Sequence, residues 1–406
     1  MNPAERLLKY VTIRTPSDEH SGRVPSTTCQ FELAQHLCRE LFTMGITDVK
    51  VDTQCYLYAH IPPTPGYEDK PALGFIAHLD TVSDFCDSRI SPLIHENYNG
   101  RELPLGSSGR ILSPEMFPHL KDLKGRTLIT SDGTSILGAD DKAGIAEIMT
   151  MAERILSEEI PHGPVSIAFT PDEEIGIGAE YFNLDAFGAD FAYTLDGDTE
   201  GEIQYENFNA AKAVFDIHGV NVHPGSAKNI MVNASLVAMK INALLPEHET
   251  PRNTEGYEGF YHLIDMKGDV AQAQLRYIIR DHDGARFEDR KSRLREIADI
   301  INRKWGRDTV ALTVTDQYRN MSEVIAGCMH LIANAKKACE NAGVQPLILP
   351  IRGGTDGAQL SFKGLPCPNL GTGGHGYHGP YEHITAEGME ASCQIALELV
   401  KIYASE

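Results

Sequence analysis

The 406-residue chain carries 36 Lys and Arg against 57 Asp and Glu, a formal charge of −21, and 42% of it is hydrophobic. That is the composition of an acidic globular protein, and its length exceeds the roughly 250–300 residues that a single hydrophobic core organises, so two domains are expected. So negative a chain repels phosphate backbones, which argues against nucleic acid and anionic membrane surfaces as partners and leaves small molecules and cations.

The opening run Met1-Asn2-Pro3-Ala4-Glu5-Arg6 lacks a basic segment followed by an apolar one. No later stretch approaches the roughly 18 apolar residues of a membrane span, so a cytoplasmic location is expected. Eight cysteines (Cys29, Cys38, Cys55, Cys86, Cys328, Cys339, Cys367, Cys393) are scattered without a C-x-x-C pair. Such spacing reads as reduced thiols rather than a zinc ribbon or disulfide framework. Any metal is expected on His, Asp and Glu.

In chain order, apolar runs and helical patterns alternate over the first two hundred residues. The patterns predict a helix over Phe31–Met44, a strand over Ala72–Ala77, a helix over Lys142–Leu156, and strands over Val165–Phe169 and Phe191–Leu195. Alternation of this kind predicts an α/β domain built on a mixed, largely parallel sheet with helices on both faces. The stretch Ser83–Lys124, rich in Gly, Pro and Ser, reads as an irregular excursion. From about Phe208 to Asn320 the order becomes strand (Lys212–His218), helix (Ile230–Leu245), strand (Gly259–Met266), strand (Ala273–Arg280), helix (Arg286–Trp305), strand (Thr309–Thr315). That β-α-β-β-α-β order predicts a ferredoxin-like α+β domain inserted into the first. A helix over Val324–Asn341, a strand over Leu347–Pro350, a helical stretch from Asp356 and a closing helix over Ala386–Tyr403 return the chain to the first sheet. The expected division is 1–207 and 321–406 for the first domain and 208–320 for the insert.

The chemistry concentrates at strand ends. An apolar strand runs into His78-Leu79-Asp80; a Gly-led loop delivers Asp140 and Asp141 to a helix start; a second strand ends in Asp172-Glu173-Glu174; a third ends in Asp196. Near the C-terminus a glycine-rich loop offers His375 and His378. Polar residues at the carboxyl ends of parallel strands face the crevice where open α/β sheets bind ligands. A set of His and carboxylates without thiolate suits two divalent ions, Zn²⁺ being the commonest fit, that activate a water for hydrolysis. Of Glu173 and Glu174, one can bind metal while the other stands beside the water as general base. Asp80 is spaced to orient the His78 ring. No G-x-x-x-x-G-K-[ST] motif occurs, and Gly176-Ile177-Gly178 lacks the third glycine of a dinucleotide fingerprint.

His78-Leu79-Asp80, Gly138-Ala139-Asp140-Asp141-Lys142, Glu173-Glu174, Asp196 and His378-Gly379-Pro380-Tyr381-Glu382 together resemble the co-catalytic dizinc peptidases that include aminoacylase and carboxypeptidase G. The likeness runs along the whole chain, including Ile351-Arg352-Gly353-Gly354-Thr355-Asp356, and is greatest to the tripeptide aminopeptidases of that family. It implies His78, Asp140 and Asp196 on one zinc, with Asp140 bridging to a second held by Glu174 and His378. It further implies Glu173 as catalytic base, Asp80 as the residue that orients His78, a cis Asp140–Asp141 bond, and a lid role for the inserted domain. In that lid, Gly219-Val220-Asn221-Val222-His223-Pro224-Gly225 is similar to the motif whose His reaches the scissile carbonyl. Arg280 and Arg352 are candidates for the substrate carboxylate, which suits bidentate Arg. The implied substrates are tripeptides, and a second copy paired through the lid domain is the implied assembly. A related dizinc amidohydrolase acting on dipeptides or N-acyl amino acids is the alternative. A non-catalytic metal-binding scaffold is disfavoured by the retention of Glu173 beside Glu174.

Overall fold

The computed structural model describes residues 1–86 and 89–406, which form two compact units. The first comprises Met1–Tyr205, Glu323–Leu349 and Thr355–Glu406; the second comprises Glu206–Ser322 with the short return Pro350–Gly354.

The first unit is built on an eight-stranded sheet in the order Asp48–Val51, Leu57–Ile61, Val165–Thr170, Leu73–His78, Phe191–Gly197, Asn369–Gly371, Glu202–Gln204, Leu347–Ile348. Val165–Thr170, Leu73–His78, Phe191–Gly197 and Asn369–Gly371 run parallel side by side, and antiparallel pairs flank them. Leu73–His78 is buried at every position, as befits a central strand covered on both faces. On one face Ile76 packs with Ala168, Ala192, Phe187 and Leu360. On the other Phe75 stacks on Tyr193, whose hydroxyl donates to Leu331 O in the helix His330–Asn341. Because three parallel strands end on the same edge, His78, the Glu173–Glu174 turn and Asp196 emerge together.

The helix Ala139–Ser157 completes this edge. Asp140 (φ −82°, ψ 103°) and Asp141 (φ −118°, ψ 34°) depart from helical geometry, so the regular helix begins at Lys142, and the Asp140–Asp141 peptide bond is cis. A side chain at Gly144 would place its Cβ 2.0 Å from Leu195 O. Glycine there lets the helix lie directly on the strand, which brings its acidic entry over the strand ends.

The second unit is a four-stranded antiparallel sheet in the order Phe260–Gly268, Gln272–Asp281, Asn209–His218, Val310–Tyr318, the ferredoxin-like arrangement for a β-α-β-β-α-β chain. Ala273, Leu275, Tyr277 and Ile279 alternate inward and meet Val237, Ile241, Leu294 and Ile301 of the helices Ala234–Asn242 and Gly284–Trp305.

Three elements differ from the sequence expectation. The helix expected over Val324–Asn341 is two, Ser322–Ile325 and His330–Asn341, because the chain turns at Gly327 with Cys328 N–H donating to Ile325 O. The helix expected from Ile230 starts at Ala234, where Asn233 caps it by accepting from Leu236 N–H. Within the expected irregular stretch, Leu93–His95 joins a second four-stranded sheet with Leu128–Thr130, His383–Thr385 and Gly374–His375.

Candidate metal centre

One carboxylate stands at the middle of the first unit's polar edge. Asp140 Oδ1 lies 3.0 Å from His78 Nε2, and Asp140 Oδ2 lies 3.0 Å from His378 Nε2. Asp196 Oδ1 approaches His78 Nε2 at 3.4 Å, and Glu174 Oε2 approaches His378 Nε2 at 3.1 Å. The five residues thus form two overlapping sets that share Asp140. His378 is reached through a left-handed backbone (φ +61°), a sparsely populated conformation for a non-glycine residue that is found preferentially at functional sites.

Backbone amides hold these acids in place. Asp80 accepts from the N–H groups of Glu173 (2.9 Å) and Glu174 (3.2 Å), tying the acidic turn to the end of the His78 strand. The nearer partner of His78 Nδ1 is Asp80's own carbonyl at 3.0 Å, its carboxylate lying at 3.4 Å. Asp141 accepts from His78 N–H and Gly144 N–H, each at 3.1 Å. Asp141 also brings a carboxylate oxygen within 4.8 Å of donor atoms of His78 and Asp196, a closeness the sequence pattern does not reveal. His375 is elsewhere: its ring stacks on His119 at 3.9 Å, and His119 Nε2 lies 2.8 Å from His383 Nε2. Burial pushes His375 down to about 2, so it stays neutral.

The electrostatics call for cations. Burial, reinforced by Asp140, pushes Glu174 up to about 7; burial pushes Asp196 up to about 6. Burial and Asp196 hold Glu173 well above the carboxylate range. Burial would raise Asp140 too, but His378 and His78 hold it below its usual value. Hydrogen bonds to Asp140 and Glu174 push His378 up to about 11. Burial opposes protonation of His78, yet Asp196, Asp140 and Asp80 hold it well above its usual value. Glu174 Oε1 is buried without a hydrogen-bond partner. Crowded carboxylates, an orphaned oxygen, the His78 imidazole within 4.8 Å of Asp141 and Asp196 and of Asp140 and Glu174, and the His378 imidazole 3.0 Å from Asp140 fit divalent metal ions of the His-plus-carboxylate class, which relieve the like-charge repulsion.

The remaining sequence candidates lie in the second unit. His223 is exposed and accepts from Gly225 N–H at 3.2 Å. Arg280 donates to Ile279 O at 2.9 Å and lies over the Tyr318 ring, 5.2 Å from its centroid. Arg352 donates to Gly256 O, Glu258 O, Thr254 O and Thr254 Oγ1. These four contacts commit the Arg352 guanidinium to the loop it braces.

The peptidase dimerisation domain family matches residues 205–309. A peptidase T from Alkaliphilus oremlandii is 49% identical over 405 residues, 99% of each chain. Among solved structures, a tripeptidase from Staphylococcus aureus shares the fold at a TM-score of 0.79 and 22% identity, covering 100% of this chain and 98% of that one. A dinuclear metal binding peptidase of the M20 family from Bacillus subtilis does so at 0.66 and 16%, covering 99% and 98%. With half its residues shared with peptidase T sequences along essentially its full length, the chain belongs to the peptidase T family and is a peptidase.

Proposed function

We propose that the protein is a cytoplasmic dizinc aminopeptidase that releases the N-terminal residue from tripeptides. The observation that carries the metal reading is the Asp140 carboxylate, with one oxygen 3.0 Å from each of two histidines, one at a strand end and one in a loop. His78, Asp140 and Asp196 would hold one ion, and Asp140, Glu174 and His378 would hold the other. Two divalent cations bound there would supply Lewis acidity toward the scissile carbonyl and lower the pKa of a water toward neutrality.

Glu173 acts as general base: it takes a proton from the attacking water as the water oxygen bonds to the scissile carbonyl carbon, and passes that proton to the amine nitrogen as the C–N bond breaks. Its backbone N–H is held on Asp80, so its place in the turn is set by the same carboxylate that lies beside His78. Asp80 orients the His78 imidazole through Nδ1, which directs Nε2 toward Asp140. Residues 208–320 serve as a lid, with His223 donating to the carbonyl oxygen as charge develops on it. Arg280 anchors the substrate carboxylate, and Arg352, braced in its loop, is the weaker choice. Two copies pair through the lid. Among the described residues no helix is long and apolar enough to cross a membrane.

The test is chelation of the purified protein followed by return of Zn²⁺, Mn²⁺ or Co²⁺, with hydrolysis of tripeptides bearing free or acetylated N-termini. Activity should be lost on chelation, restored by metal, and confined to free amines. Full activity after stripping, or preference for acetylated substrates, contradicts it.

A further inference from the structure

Glu382 is 1% exposed, and both its oxygens are used by one loop. Oε2 accepts from the N–H groups of Leu137 (2.6 Å) and Gly138 (2.7 Å), and Oε1 accepts from Asp140 N–H at 3.0 Å. Those are the residues that carry Asp140 into place, Gly138 through a left-handed backbone (φ +75°). Glu382 also closes the turn that follows His378, since its N–H donates to Gly379 O at 3.1 Å. Directly after it, His383–Thr385 pairs with Leu128–Thr130. One side chain therefore joins the loop bearing His378 to the loop bearing Asp140, although 242 residues separate Glu382 from Asp140 in sequence.

We propose that Glu382 is a positioning residue that sets the spacing of these two loops, so that Asp140 stands between His78 and His378 before any metal arrives. The inference rests on the metal reading above. Three convergent N–H groups need acceptors only. An amide in place of the carboxylate turns one acceptor into a donor aimed at an N–H, leaving at least one amide unpaired in a buried site. The loop must then shift, and the spacing of Asp140 from both histidines shifts with it.

The test compares Glu382→Gln with wild type and with Glu147→Gln, another buried acid on the Asp140 helix, whose oxygens have no hydrogen-bond partner. Metal affinities are read by competition with a chromophoric chelator, and site geometry by the absorption of the Co²⁺-loaded protein. Loss of an outer-shell partner typically costs about 10–100-fold in metal affinity. Glu382→Gln is expected to weaken both ions on that scale, alter the Co²⁺ spectrum, and lower kcat with KM unchanged at saturating metal. Glu147→Gln is expected to keep wild-type metal affinity. A folded Glu382→Gln variant with wild-type affinities and spectrum overturns the proposal. Should that variant fail to fold, hydrogen exchange on the metal-stripped wild type decides. Protected amides at Leu137, Gly138 and Asp140 support the clamp, and freely exchanging ones refute it. A wild type that binds no divalent metal refutes the function proposed above, while the exchange result still reports on the clamp.

Discussion

Asp140→Ala removes the acceptor oxygens of two histidines at once, Oδ1 from His78 and Oδ2 from His378. Zinc sites of four ligands bind with about 10–16 kcal/mol, so one ligand is worth about 2.5–4 kcal/mol. At about 1.4 kcal/mol per decade, its loss weakens each ion by roughly 10²–10³-fold. Because Asp140 is also what chiefly holds His378 at about 11, its removal eases proton competition, and the loss measured at neutral pH understates the contact. Glu174→Ala is the comparison, since Glu174 approaches His378 at 3.1 Å while His78 keeps Asp140, Asp196 and Asp80. Titrating Zn²⁺ into each metal-stripped variant against a chelator of known affinity should show both ions weakened in Asp140→Ala and one in Glu174→Ala. An Asp140→Ala variant that holds one ion at wild-type affinity refutes the shared carboxylate.

Glu173→Gln should keep both ions and lower kcat by roughly 10²–10⁴-fold, the scale of a lost general base, as read by steady-state kinetics beside metal analysis; wild-type turnover would remove Glu173 from that role. Metal binding should release protons at pH 7, because His78 is held well above its usual value and His378 at about 11, and both must be neutral to ligate. With two imidazolium protons displaced, and a further fraction from Glu174, which burial pushes up to about 7, metal affinity should rise with pH, and calorimetry in buffers of different ionisation enthalpy checks the proton release. A buffer-independent heat contradicts it. Arg280→Ala should raise KM and blur discrimination between tri- and tetrapeptides, since an extended residue spans about 3.3–3.6 Å and a fixed anchor selects length. Unchanged length discrimination would move the anchor off Arg280.

The sequence is most legible where burial and chemistry coincide along the chain. The apolar run ending in His78 and the one preceding Glu173 announce both a central strand and a polar end, and the structure has them as neighbours. The inserted sheet is legible because its strands alternate, as Ala273, Leu275, Tyr277 and Ile279 do. Short strands such as Glu202–Gln204 and Asn369–Gly371 carry too few residues for any period and are defined only by their partners. Glu382 and Asp141 stand in motifs the sequence shows, but the backbone N–H groups they hold are not legible there, because no side-chain pattern encodes such contacts. Arg352 reads as a candidate anchor in sequence because Arg suits carboxylates; its bonds to main-chain carbonyls of the Thr254–Glu258 loop are contacts that no side-chain pattern encodes.

Metal-dependent removal of one N-terminal residue from tripeptides is a reaction whose products can be weighed. Product analysis by mass spectrometry on a mixed library of di-, tri- and tetrapeptides, with free and blocked N-termini, tests it most directly when run on metal-stripped and Zn²⁺-reconstituted protein. A free amino acid and a dipeptide should form from unblocked tripeptides, and only with metal present. Cleavage that ignores metal, or that prefers blocked termini or dipeptides, contradicts it.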